Sequence, residues 1–121
     1  MTPFAQILQR AVQATPNAIG GAFADADGEM VDSYCIGDPH EWAVLTAHYG
    51  VVMAHLNAAF GTWHFGGPEY FIAQHRELEI VVVAVHAGYY ALLALTEPAN
   101  LGYALQQLRT ASVELRREMG L

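Results

Sequence analysis

The chain has 121 residues, of which 54% are hydrophobic and only 14% charged, and its twelve acidic and five basic side chains leave a formal net charge of −7. Nucleic acids and anionic membrane surfaces are recognised through Lys and Arg, so this balance argues against both kinds of partner. Because a typical soluble domain is about one quarter charged, we expect part of this surface to be covered by a partner. A second copy of the chain is the simplest candidate.

Length and cysteine content indicate one intracellular domain. The size fits a single domain over residues 1–121. The lone Cys35 can form neither an internal disulfide nor a multi-cysteine zinc site. The N-terminus lacks a basic region followed by an apolar one, so no signal peptide is expected. An apolar run such as residues 80–85 is too short to span a bilayer. These features predict a cytoplasmic protein without membrane insertion.

The first part of the chain predicts a helix and a β-hairpin. Apolar residues recur at helical spacing over residues 3–14, with Thr2 as N-cap and a proline at the first helical position. Residues 18–25 and 29–36 have the composition of strands. The Asp27-Gly28 pair between them is a strong hairpin signal, because both residues tolerate positive φ. The Gly20-Gly21 pair within the first strand favours close helix packing or a bulge.

A long helix is predicted over residues 40–60, after a break at residues 37–39. Its apolar residues form two adjacent stripes, which give a wider apolar face than a helix lying on a sheet needs. The first stripe is Trp42, Leu45, Tyr49, Val52, Leu56 and Ala59, and the second is Val44, His48, Val51 and His55. This helix is therefore expected to contact something besides its own sheet.

Three strands and a helix complete the chain. Residues 69–75, 78–86 and 89–95 are predicted as strands joined by tight turns, and the last two are apolar on both sides, which requires helices on both faces of the sheet. Pro98 is predicted to open the final helix, with Glu97 at its positive end. The order α-β-β-α-β-β-β-α predicts an α/β (α+β) fold with a five-stranded, mostly antiparallel sheet. The first and last helices are expected on one face and the central helix on the other.

Two segments resemble the roadblock/LC7 family of dynein light chain roadblock-type domains, in its bacterial form. Residues 15–29, with the sequence TPNAIGGAFADADGE, are similar to the family's Pro-Gly-Ala-x-Gly-Ala … Asp-x-Asp-Gly motif. Asn17 stands where glycine is commoner, and either residue can supply a left-handed turn. Residues 98–104, PANLGYA, are similar to the opening of the family's last helix. The element order agrees over the whole chain.

The resemblance implies a homodimer in which the third strands pair across the two copies and the central helices pack together. It also implies a non-enzymatic scaffold or regulator of a small Ras-like GTPase, with no cofactor. The residues support a dimer independently, since residues 69–75 form an edge strand with no charge at positions 70–73 to prevent pairing. The predicted interface residues are Trp42, Leu45, His48, Tyr49, Val52, His55 and Leu56 on the helix and Tyr70, Phe71 and Ile72 on the strand.

The six histidines raise the question of a metal site. His48 and His55 share a helix face, but two turns place them about 10 Å apart, too far for one ion without other ligands. His75 and His86 end two successive predicted strands, and antiparallel pairing of these strands sets the two histidines at opposite ends of the hairpin. No metal site is therefore predicted. If the central helices pair across a two-fold axis, protonation of His48 or His55 is expected to weaken the dimer, which the dimer fraction between mildly acid and neutral pH would test.

Other patterns favour structural roles over chemistry. Residues 25–29 faintly resemble a calcium loop, but no bidentate Glu or flanking helices follow, so the hairpin turn is preferred. Cys35 lacks the surroundings of a nucleophile and is expected to be a small buried side chain. The glycine-rich residues 61–67 lack the Lys-Ser/Thr of a phosphate-binding loop. Any nucleotide must therefore belong to a partner.

Two further function classes stay open. A small-molecule sensor would use a pocket lined by the glycine-rich loop and histidines, and bound ligand in the purified protein would favour it. An enzyme is supported only by the number of histidines, and the sequence predicts no catalytic residue. Fold resemblance alone does not assign function.

Overall fold

The computed structural model describes all residues, Met1–Leu121. The elements, in chain order, are α1 Pro3–Ala14, β1 Ala18–Ala24, β2 Met30–Cys35, α2 Pro39–Phe60, β3 Tyr70–Gln74, β4 Glu79–His86, β5 Tyr89–Leu95 and α3 Leu101–Glu118. The predicted fold class and element order are confirmed. The predicted bounds of β1, β2, β3 and β4 extend one residue beyond the observed strand at one or both ends.

Antiparallel pairing joins the five strands in the order β2-β1-β5-β4-β3. The strands β2 and β3 are therefore the two edges of the sheet. Helix α2 connects these edges, because it follows β2 and precedes β3 in the chain. This crossing carries the chain over a whole face of the sheet, which explains why α2 is the longest helix.

The two faces of the sheet support separate cores. Helices α1 and α3 pack on one face, where Leu8, Leu108 and Leu115 contact the inward residues of β4 and β5. Helix α2 packs alone on the other, with Trp42 and Met53 against the alternate residues of the same strands. A strand with helices on both faces must be apolar on both sides, and β4 and β5 meet that requirement. The expected division of the helices between the faces is confirmed.

Three local features follow the sequence signals closely. The side chain of Thr2 accepts a hydrogen bond from the Ala5 amide at 3.1 Å and caps α1. Asn17 has a φ of +66°, the left-handed conformation that its place in the motif requires. The Gly20-Gly21 pair lies at a bulge and also permits close helix packing, the two roles that the sequence suggested. The register shifts between Ala18 and Gly20, and the indole of Trp42 would lie 3.0 Å from a Cβ at Gly20.

The start of the last helix differs from the prediction. Pro98 does not open α3, which begins at Leu101. Asn100 is the N-cap instead, and its side chain accepts a hydrogen bond from the Tyr103 amide at 3.1 Å. The carbonyl of Pro98 accepts from the Asn17 side chain at 2.5 Å, which holds this segment in the preceding turn. Glu97 therefore lies before the helix rather than in its first turn.

Helix α2 is long and apolar enough, by length and composition alone, to cross a membrane. In the structure it lies on the sheet, and five of its residues are buried there: Trp42, Thr46, Tyr49, Gly50 and Met53. Two close approaches set its distance from the sheet. Trp42 packs on Gly20, and Gly50 packs on Gly28 in the β1–β2 turn, where a Cβ on Gly50 would come within 2.6 Å of the Gly28 Cα.

Candidate functional site

The outer face of α2 is an uncovered apolar surface. Its exposed residues are Ala43, Val44, Ala47, His48, Val51, Val52, Ala54, His55, Ala58 and Ala59. No Asp, Glu, Lys or Arg occurs between Trp42 and Phe60. Val51 is 58% exposed and Val52 is 41% exposed, although valine is a residue that folded domains usually bury. We call this set the outer α2 face, and a surface of this kind marks an interaction site.

The two histidines on the outer α2 face are anchored to their own helix. The Nδ1 of His48 lies 2.8 Å from the carbonyl oxygen of Val44, and the Nδ1 of His55 lies 2.9 Å from that of Val51. A carbonyl can only accept, so Nδ1 donates in both rings. Each ring therefore has one remaining polar atom, Nε2. No group of three His, Cys, Asp or Glu side chains is arranged to hold a metal ion.

The edge strand β3 presents unpaired backbone groups. The Glu69 carbonyl accepts from the Ala84 amide at 2.9 Å, and the His75 amide donates to the Leu78 carbonyl at 2.7 Å. Backbone groups alternate in direction along a strand. The amides and carbonyls of Tyr70, Ile72 and Gln74 consequently point away from β4, toward the free edge. The side chains of Tyr70 and Ile72 are exposed as well.

The predicted interface residues fall into three groups by their exposure in a single copy. His48, Val52 and His55 lie on the outer α2 face, and Tyr70 and Ile72 lie on the free edge, all of them exposed. Leu45, Leu56 and Phe71 are half-buried. Trp42 and Tyr49 are 6% and 5% exposed, because both pack on their own sheet, which leaves them little surface for another chain. Whether the exposed group forms a dimer interface stays a prediction.

Tyr49 and Trp42 have specific roles within the chain. The Tyr49 hydroxyl lies 2.5 Å from Nε2 of His75, and its ring stacks on Phe71 with centroids 6.3 Å apart. Burial raises the pKa of Tyr49. The indole Nε1 of Trp42 is buried and has no hydrogen-bond partner. Both residues lie in the N-terminal half of α2.

A groove runs beside this half of α2. It consists of two adjoining cavities that share Leu45 and Leu78. The first has a volume of about 380 Å³, is partly open to solvent, and is lined by Ile19, Cys35, Ile36, Gly37, Asp38, Glu41, Trp42, Leu45 and Leu78. The second is open and is lined by His75, Arg76 and Glu77 in addition to the shared leucines. We call the whole the Leu45–Leu78 groove. It is apolar along its floor and charged at its rim.

The loop after α2 holds a second exposed apolar group. Trp63 packs on Phe60 and Phe65, with ring centroids 5.6 Å and 5.0 Å apart. His64 lies against Phe65 at 4.4 Å. Trp63 is 51% exposed and Phe65 is 75% exposed. We call residues 61–69 the aromatic loop.

No protein-family model matches the sequence, and no curated protein matches it. Solved structures do match. MglB of Myxococcus xanthus superimposes with a TM-score of 0.85 at 13% identity, over 99% of this chain and 97% of that one. A roadblock/LC7 domain from Streptomyces avermitilis matches with a TM-score of 0.75 at 13% identity, over 96% of this chain and 97% of that one. This chain has the roadblock/LC7 fold.

MglC of Myxococcus xanthus shares the roadblock/LC7 fold with this chain, with a TM-score of 0.72 at 20% identity, over 97% of this chain and 99% of that one. One structure of MglB is described as a tetrameric arrangement, and it matches with a TM-score of 0.82 at 17% identity over 96% of this chain and 88% of that one. At these identities the likeness establishes the roadblock/LC7 fold and not the partners of this chain.

The sequence alone predicts neither the Leu45–Leu78 groove nor the exposure of Trp63 and Phe65 in the aromatic loop. The residues that line the groove come from β1, from the end of β2 and the segment after it, from α2 and from the β3–β4 turn, so no local spacing connects them. The sequence signal for the aromatic loop is a group of aromatic residues between glycines, in a segment with no strand or helix pattern that could bury them.

Proposed function

We propose that this chain is a non-enzymatic homodimer that acts in the cytoplasm as a regulator or scaffold of a small Ras-like GTPase. The observation that carries the proposal is the coincidence of two incomplete surfaces. The outer α2 face lacks a cover, and β3 lacks a neighbouring strand. A two-fold axis beside β3 would complete both surfaces at once.

The free edge determines how two copies would pair. In an antiparallel pair, residues that lie opposite each other point to the same face of the sheet. Successive residues of a strand point to opposite faces, so a residue of β3 cannot lie opposite the copy of its direct neighbour. The two-fold axis must therefore lie where one residue of β3 faces the same residue of the partner. Centring on Ile72 lets all three outward-pointing residues, Tyr70, Ile72 and Gln74, exchange hydrogen bonds with the partner. Centring on either neighbour leaves some of these groups without a partner.

The same axis brings the two α2 helices together on one face of the joined sheet. Val52, His48 and His55 would then lie between the helices, in a surface with no charge to desolvate. Burial of apolar area contributes roughly 25 cal/mol per Å². This term favours association, and it accounts for the low share of charged residues in the chain.

The GTPase part of the proposal rests on the roadblock/LC7 fold, whose family includes scaffolds and regulators of Ras-like GTPases. The net charge of −7 is compatible with a basic partner surface. Any nucleotide would belong to the GTPase, because the chain has no phosphate-binding loop.

Two measurements test the proposal. Light scattering on the purified chain at micromolar concentration is expected to give the mass of two copies, and a monomer there would overturn the homodimer. Co-expression with a small Ras-like GTPase of the same genome, loaded with GDP or a GTP analogue, is expected to yield a complex on size exclusion. Absence of a complex in every nucleotide state would overturn the GTPase assignment while leaving the dimer intact.

A small-molecule sensor is the second candidate, and the cavity of about 380 Å³ beside Trp42 is the observation that favours it. Trp42 lines this cavity, and its indole Nε1 has no hydrogen-bond partner within the chain. Native mass spectrometry of the purified protein distinguishes the two functions. A bound small molecule would support the sensor, and a mass equal to two bare chains would support the regulator.

A further inference from the structure

We infer that, in the proposed homodimer, the aromatic loop of each copy inserts Trp63 and Phe65 into the Leu45–Leu78 groove of its partner. The inference rests on the proposed dimer and adds an exchange of side chains across it. Each groove would then be a composite site, built by one copy and filled by the other.

The loop and groove of one copy cannot meet each other. The groove borders the first turns of α2, at Trp42 and Leu45, whereas the aromatic loop begins after Phe60 at the other end of the helix. A rise of 1.5 Å per residue places Leu45 and Phe60 about 22 Å apart along the axis. Asn57 lies beside the β4–β5 turn at Gly88, which marks that opposite end of the sheet. Within one copy, therefore, both surfaces stay open.

The two-fold axis brings the loop of one copy to the groove of the other. Pairing centred on Ile72 sets Gln74 opposite the partner's Tyr70. The residues that precede the partner's Tyr70 then lie beside the β3–β4 turn, which supplies His75 and Leu78 to the groove. The axis also reverses the direction of α2, so the C-terminal end of the partner's helix lies at the end of the sheet where this copy's groove is.

The loop and the groove lie in the same layer of the dimer. The aromatic loop leaves α2 at Phe60, and Trp63 still packs on that residue. The groove has α2 as one wall, through Trp42 and Leu45. Both therefore lie on the α2 side of the sheet, which is a requirement for insertion. Had the aromatic residues been on the α3 side, the sheet would separate them from the groove.

The chemistry of the two surfaces is complementary. Ile19, Leu45 and Leu78 offer apolar contacts, and the first cavity is large enough for an aromatic side chain. Exposed aromatic residues gain most from burial in such pockets, where they act as anchors of protein interfaces. His64, between the two anchors, would approach the rim where Asp38 and Glu41 lie. The other possible occupants, a GTPase side chain or a small molecule, are outcomes of the experiment below.

Crosslinking between two cysteines tests the exchange. In a Cys35→Ser background, Phe65→Cys is combined with Leu78→Cys and treated with a short bis-maleimide crosslinker. We expect the covalent dimer as the main band on a denaturing gel. The matched control combines Phe65→Cys with Val113→Cys, an exposed position on α3 that should give no such band. The single variant Phe65→Cys should give none either, because the axis sets the two aromatic loops at opposite ends of the dimer.

The result separates the inference from the proposed function, since light scattering on the same samples reports the oligomeric state. A dimeric mass without the covalent band would overturn the loop exchange and leave the dimer standing, with the groove free for a GTPase or a small molecule. A monomeric mass of the native chain, measured beside these variants, would overturn the dimer itself. As a second measurement, Trp63→Ala and Phe65→Ala are each expected to raise the dimer dissociation constant by about tenfold to a hundredfold. Unchanged dissociation constants in both variants would also overturn the exchange.

Discussion

The hydroxyl of Tyr49 lies 2.5 Å from Nε2 of His75, and this contact joins the middle of α2 to the turn between β3 and β4. A tyrosine hydroxyl is protonated at neutral pH and can donate to the imidazole, and burial raises the pKa of Tyr49 further. The pair links α2 to the end of β3. In the proposed dimer, each of these two elements contacts the same element of the partner. It also fixes His75 at the groove that we assign to the partner's aromatic loop.

Replacing Tyr49 with Phe should loosen this link without emptying the core. The ring keeps its contact with Phe71, and the loss is one hydrogen bond, so we expect the free energy of unfolding to fall by about 0.5–1.5 kcal/mol. Amide exchange should accelerate most at the β3–β4 turn. Urea unfolding and hydrogen exchange measure the two effects, and Tyr103→Phe on the exposed part of α3 is the control. Equal exchange at the turn in both variants would contradict the linking role.

Tyr90 predicts how stability changes in alkali. Burial, together with the negative charge of Asp25, raises the pKa of Tyr90 from 10.0 to about 12. Below pH 10 both the folded and the unfolded chain hold the proton. Between pH 10 and 12 the unfolded chain loses it first, so stability falls as pH rises. The expected loss is about 2–3 kcal/mol by pH 12.

The Tyr90→Phe variant isolates this contribution. It should be less stable than the native chain at pH 7 by about 1 kcal/mol, because the hydroxyl no longer meets the Thr46 carbonyl. Its stability should fall less steeply above pH 10. Tyr103→Phe should keep the steep decline. Parallel stability curves for Tyr90→Phe and the native chain across this range would show that Tyr90 is not the group responsible.

Most of the fold follows from local signals. Thr2, the Asp27-Gly28 turn and the break at residues 37–39 mark the ends of elements, and the two-sided apolar strands β4 and β5 require helices on both faces. The predicted start of α3 is wrong because the segment before this helix contains two signals for a helix N-terminus. The rule that proline favours the first helical turn pointed to Pro98, whereas the Asn100 side chain provides the actual cap.

The face of α2 could not be assigned from the sequence in the same way. A helix that is apolar almost all round gives no period from which to choose the buried stripe. The sequence pattern therefore predicts Trp42 and Tyr49 at the interface, whereas in the structure both pack on the sheet. Their placement depends on contacts remote in sequence. Trp42 needs the bare backbone of Gly20, and Tyr49 needs Phe71 and His75.

The contact between Gly50 and Gly28 predicts the effect of adding one methyl group. A Cβ on Gly50 would lie 2.6 Å from the Gly28 Cα and 3.1 Å from the Tyr90 hydroxyl. Backbone cannot move aside as a side chain can, so we expect Gly50→Ala to lower the free energy of unfolding by about 1–3 kcal/mol. Thermal unfolding measures the loss.

Gly102→Ala in α3 is the matched control for Gly50→Ala. Its added Cβ meets only the Asn100 side chain, at 3.8 Å, an ordinary contact. Alanine in place of glycine stabilises a helix by about 0.5–1 kcal/mol, so this variant should be at least as stable as the native chain. If both variants gained stability, α2 would not lie as close to the β1–β2 turn as Gly50 and Gly28 place it.

Introducing a charge at Ile72 tests the register of the proposed dimer. A residue on the two-fold axis lies opposite its own copy, so Ile72→Asp and Ile72→Lys each place two like charges side by side, which destabilises strand pairing. Ile72 is exposed in a single copy, so each variant should stay folded but become monomeric. Val113→Asp, which adds a charge on α3, should stay dimeric.

Mixing the two Ile72 variants should restore the dimer, because the axis then pairs Asp with Lys. Opposite charges across a strand pair contribute about 0.2–1 kcal/mol, whereas the same charges repel in either homodimer. Light scattering on the separate and mixed samples measures the outcome. Restoration in the mixture would place residue 72 beside its own copy. If each variant were monomeric and the mixture stayed monomeric too, β3 would still be at the interface, but the axis would pass through another of its residues.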